Sequence, residues 1–163
     1  MSALPEASAL LFAEAAALDE CRWADWLALF TEDCLYHVPA WRDEVTPTTD
    51  PRTEISIIHC AGRAQLAERI QRITGGRSVA SLPLPRTAHV VSNIMLVEEG
   101  AAALRVNSLW TSHVFNVKRQ DQHVFFSRVE HRLVREADTW RIARRHALLL
   151  NDRLPTMLDI YSL

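Results

Sequence analysis

Glycine is scarce, with four in 163 residues. Loops that cradle phosphates need several closely spaced glycines, and neither a P-loop nor a dinucleotide-binding fingerprint occurs. Cysteine is scarcer still. Cys21, Cys34 and Cys60 are odd in number and far apart, which argues against a disulfide framework. No apolar run approaches the roughly 20 residues that span a bilayer. Neither charge predominates: 18 Lys and Arg against 20 Asp and Glu leave a net charge of −2. General attraction to nucleic acid or to an anionic membrane is therefore not expected. The first residues lack a basic segment, and Glu6 and Glu14 interrupt their apolar stretch, so no signal peptide is expected. With no disulfide framework, the expected location is the cytoplasm.

What remains is the balance of a globular chain, 48% hydrophobic and 23% charged. Its length suits one domain over 1–163, with a core large enough to need no disulfide or metal. The first half has helical periodicity. Leu11, Ala15 and Leu18 fall at i, i+4 and i+7, and Trp23, Trp26, Leu27 and Phe30 at i, i+3, i+4 and i+7. After Asp33 the run CLYHVPAW breaks that period and predicts a short strand stopped by Pro39. A polar loop covers 42–52. Leu66, Ile70 and Ile73 then mark a third helix, closed by the left-handed conformation open to Gly75 and Gly76.

Beyond Pro83 and Pro85 the period changes to that of strands. Four long segments, HVVSNIMLV, ALRVNSLWTSHVF, HVFFSRVEHRLV and WRIARRHALLL, are joined by short polar connections, which predicts an antiparallel meander. Helices first and strands afterwards give an α+β fold with helices on one face of the sheet. Alternation groups Phe125, Ser127, Val129, His131 and Leu133 on one face. It likewise groups Val91, Asn93, Met95 and Val97, and Asn107, Leu109, His113 and Phe115. Such faces suit a pocket lining, a core with satisfied polar groups or a subunit interface, and alternation does not choose among them. The C-terminal run from Leu154 to Leu163 is too apolar for a free tail. It is expected to pack on its own domain or on a neighbouring subunit, with Asp159 and Tyr161 at its edge.

Metal chemistry has little support. Cys34 and His37 make one C-x-x-H fragment and His59 adjoins Cys60, but a Rieske cluster also needs C-x-H, and zinc two clean ligand pairs. His89, His113, His123, His131 and His146 stand in strands at no ligand spacing and read as hydrogen-bonded structural groups. No nucleophile elbow occurs. Arg141, Arg144 and Arg145 read as an ion-pairing or carboxylate-binding cluster in an interface. One enzymatic reading survives, general acid–base catalysis in an apolar cone. Asp33, Tyr36 and His37 would face His89, Asn93 and His131, in a stand-alone dehydratase or isomerase using Asp33, Tyr36 or His131. The competing reading is that these groups satisfy one another in the core.

The ordered segments WADWLALFTEDCLYHVPAW, TDPRTEISII, GRAQLAERIQRI, RTAHVVSNI and LLLNDRLPTMLDIYSL resemble the small (β) subunits of aromatic-ring-hydroxylating dioxygenases, in the benzoate and anthranilate branch. Ile58, His59 and Cys60 stand where relatives commonly have I-Y-Y. The resemblance implies a cone-like curved sheet wrapped around helices, as in scytalone dehydratase and ketosteroid isomerase. It also implies a large α subunit as partner, in three-plus-three stoichiometry, carrying a Rieske [2Fe–2S] cluster and a mononuclear iron. A reductase would supply electrons from NADH. On this reading the chain itself carries no catalytic, cofactor-binding or metal residue.

Overall fold

The computed structural model describes residues 2–76, 83–155 and 157–163. Helix α1 (Leu4–Asp19) starts with a proline in its first turn, where the missing N–H costs nothing. Its buried residues Ala7, Leu11, Glu14, Ala15 and Leu18 recur at helical spacing. Helix α2 (Trp23–Ala28) is shorter than the periodicity predicts. Phe30 does not end that helix; it opens strand β1 (Phe30–Pro39), itself longer than expected. Its ring still meets Trp26, edge to face at 4.8 Å, and Tyr36 at 6.2 Å, so the apolar spacing reports a shared core rather than a shared helix.

Strand β2 (Ser56–Ala61), hidden in the sequence between a loop and a helix, pairs antiparallel with β1. Gly62 then turns the chain into α3 (Arg63–Thr74) with φ of +94°, where a Cβ would lie 3.4 Å from the Glu32 carbonyl oxygen. Of the two glycines after α3, only Gly76 is left-handed, at φ +75°. Strands β3 (Arg86–Glu99), β4 (Ala103–Asn116), β5 (Asp121–Glu136) and β6 (Thr139–Leu149) form the expected antiparallel meander.

The six strands make one curved, open sheet in the order β2-β1-β6-β5-β4-β3. The β1–β6 pair is parallel, so the sheet is mixed. The helices pack against the sheet, α1 on β3 and β6 and α3 on β1 and β2. The Phe125 to Leu133 face, with Ser127 and His131, is buried. The Asn107, Leu109, His113 and Phe115 face is the opposite, outer one.

The grouping of Val91 with Met95 and Val97 does not hold. A bulge between Ser92 and Met95, with Asn93 at φ +52°, adds a residue and reverses the alternation. Val91, Ile94 and Leu96 pack on the core, whereas Asn93, Met95 and Val97 are exposed. Leu158, Ile160, Tyr161 and Leu163 bury into the chain's own core around a 3-10 turn (Ile160–Ser162). Arg69 at 2.9 Å and Arg72 at 3.3 Å hold Asp159 there.

Candidate functional site

Two neighbouring transverse rows of the sheet collect most of the chemistry. In the inner row Cys60, Tyr36, Arg145, His131 and Val106 are successive cross-strand partners from β2 to β4. One residue along each strand, the outer row runs His59, His37, His146, Glu130, Asn107 and Met95. A strand alternates faces, so one residue separates the interior from the outside.

Glu14 comes down from α1 onto the inner row. Its Oε2 accepts from His131 Nε2 at 3.0 Å, and Oε1 lies 3.0 Å from Arg145 Nε. Arg145 Nη1 donates to Tyr36 Oη at 3.1 Å. The guanidinium is also stacked, 4.7 Å from the Trp110 ring centre and 5.0 Å from that of Tyr36. Glu14, Tyr36, His131 and Arg145 all have zero exposure. Burial pushes the Glu14 pKa up, but Arg145 and His131 outweigh it and hold the carboxyl below its usual range. Burial lowers the His131 pKa against the pull of Glu14, so the ring is neutral and donates its proton. Burial pushes the Tyr36 hydroxyl up to about 12, against the opposing effect of Arg145.

This is a buried ion pair whose bonds all run within the network, with His131 Nδ1 and Arg145 Nη2 left without a hydrogen-bond partner among the described residues. A general base needs a lone pair within reach of a substrate. Glu14 is instead committed to Arg145 and His131, and no member touches solvent. The arrangement pins α1 to the sheet.

The proposed acid–base set is not assembled. Tyr36 and His131 share this network, but Asp33 is exposed on β1, away from them. His89 Nδ1 is 2.6 Å from Asp19 Oδ1, and its backbone N–H donates to Asp19 Oδ2, tying β3 to the end of α1. Asn93 is exposed at the bulge. His37 lies between His59, edge to face at 5.5 Å, and His146, tilted at 5.2 Å, with Ser56 Oγ 3.0 Å from its Nε2. The arginine cluster separates, helped by a register shift between Ile142 and Arg144 that breaks strict alternation. Arg145 is interior, Arg144 is exposed, and Arg141 bonds the Ala28 carbonyl. Among the described residues no three His, Cys, Asp or Glu side chains converge as a metal site. No helix among them is long and apolar enough to cross a membrane.

Sequence reasoning missed Glu14, read there only as an interruption of an apolar stretch. Its signal was position: Glu14 follows Leu11 by three residues and precedes Leu18 by four, on the buried stripe.

The model of the ring hydroxylating beta subunit family matches residues 13–156. The chain belongs to that family. It is 32% identical over 156 residues to the anthranilate 1,2-dioxygenase small subunit of Acinetobacter baylyi, covering 94% of this chain and 93% of the relative. Its structure superposes on the benzoate 1,2-dioxygenase beta subunit of Burkholderia mallei with a TM-score of 0.79 at 26% identity, covering 96% and 94% of the two chains. A scytalone-dehydratase-like protein from Novosphingobium aromaticivorans, 16% identical, shares the fold with a TM-score of 0.68 over 96% of this chain and 91% of its own.

Proposed function

We propose that the chain is the non-catalytic small subunit of a multicomponent dioxygenase that dihydroxylates a benzoate- or anthranilate-like aromatic acid. The observation that carries this reading is near-full-length similarity, in both directions, to small subunits of dioxygenases acting on such acids. The interior supports it. Polar side chains that would do chemistry in an empty cone are here spent on one another, with zero exposure.

On this reading 1–163 is one domain in the cytoplasm that contributes no catalytic, cofactor or metal residue. Its partner is a large α subunit, three of each chain, carrying the Rieske cluster and the mononuclear iron. A reductase passes electrons from NADH to that subunit, and O2 is the oxidant. The test is co-expression with a large (α) subunit of this dioxygenase class. The two chains should purify together and turn over an aromatic acid, while the small chain alone should be inactive. Turnover of a small molecule by the small chain alone would contradict the proposal.

A further inference from the structure

The outer face of the sheet combines three features. First, eleven large apolar side chains are exposed among the described residues, and six of them lie on β3 to β5: Val90, Met95, Val97, Leu109, Val124 and Phe126. A soluble monomer seldom concentrates apolar surface in this way without a partner.

Second, Arg105, Arg132 and Arg144 are direct cross-strand neighbours. Like charges so placed destabilise a sheet. Arg105 is compensated by Glu98 at 2.6 Å and Glu130 at 3.4 Å. Arg132 and Arg144, and Arg128 four residues along β5 from Arg132 and beyond the Glu130 row, are exposed and have no acidic partner among the described residues.

Third, a depression of about 430 Å³ opens on this face, with Met95, Leu109, Leu148 and Arg128 among its walls. Asn107 Oδ1 and His146 Nδ1 in it are buried without a hydrogen-bond partner. Unmet polar atoms of that kind are costly unless something supplies the bond.

We infer that this face docks on the large subunit, at a surface presenting carboxylates to Arg128, Arg132 and Arg144 and apolar side chains to Met95, Leu109 and Phe126. The inference rests on the small-subunit reading above. Charge selects this occupant over the same face of a second copy. Glu98 and Glu130 on β3 and β5 are both held by Arg105, so a two-fold-related copy would set arginine against arginine with no free carboxylate between them.

The test uses the co-expressed complex. A photo-cross-linking residue replaces Leu109, and separately Arg132→Glu is combined with Arg144→Glu. Cross-links from position 109 should join the small chain to the large one. The double charge reversal should lower recovery of the large chain at least tenfold without changing thermal unfolding of the small chain, whereas Lys118→Glu in the β4–β5 turn should not. Cross-links to another small chain, no cross-link, or undiminished recovery would each overturn the docking face. Failure of the unaltered chains to co-purify would overturn the small-subunit reading itself.

Discussion

A carboxylate with no exposure needs a counter-charge, and Glu14 has one in Arg145. Glu14→Gln keeps the shape but leaves a buried guanidinium without compensation. We expect a loss of about 3–5 kcal/mol in urea unfolding. Pairing Glu14→Leu with Arg145→Met should recover most of that loss, because an apolar pair removes the desolvation cost of both charges. A Gln variant as stable as the parent would contradict the network as drawn.

His37 gives a pH prediction. Burial, then His146, His59 and Arg144, hold its pKa down to about 4, against about 6.5 in an unfolded chain. Between those values the unfolded chain binds the extra proton, so stability falls as pH drops from about 6.5 towards 4. His37→Gln should flatten that part of the profile. The urea midpoints of both proteins at pH 7 and pH 5 check this, and equal slopes would refute it. The histidines were legible in the sequence as structural groups, but their row was not, because only strand register places His59, His37 and His146 side by side.

At the scale of elements, periodicity located α1, α3 and the meander, since long amphipathic segments repeat their signal many times. It failed where tertiary contacts decide. Phe30 fits a helical stripe yet begins β1. The short strand β2 exists because β1 offers it an edge. A bulge at Asn93 reversed β3 up to Val97, where a second irregularity between Leu96 and Glu98 shifts it again. The parallel β1–β6 pair joins residues about a hundred positions apart, which no local pattern encodes.

The C-terminal run was legible as a cover but not as to what it covers. It buries four apolar side chains in its own domain, each worth about 1.5–3 kcal/mol. Their sum is comparable with the whole stability of a domain, about 5–15 kcal/mol. Deleting 158–163 should therefore leave an unfolded chain in circular dichroism. A folded truncated monomer would show that the segment serves assembly instead.

For the whole molecule, the fold alone leaves function open, because related cones host unrelated activities. The decision lies in how the interior is used. Asp33 faces outward, while Tyr36 and His131 are consumed by Arg145 and Glu14, and the chain matches dioxygenase small subunits along its length. The most direct test is the turnover number of the oxygenase assembled with an Asp33→Asn, Tyr36→Phe small chain, normalised to iron content. Loss of a general acid or base costs about 10²–10⁴-fold in rate. The turnover number should stay within about twofold of the parent, with any change confined to thermal stability from the lost Tyr36 hydroxyl, about 1–3 kcal/mol. A fall of a hundredfold or more, with assembly and iron intact, would contradict the non-catalytic role.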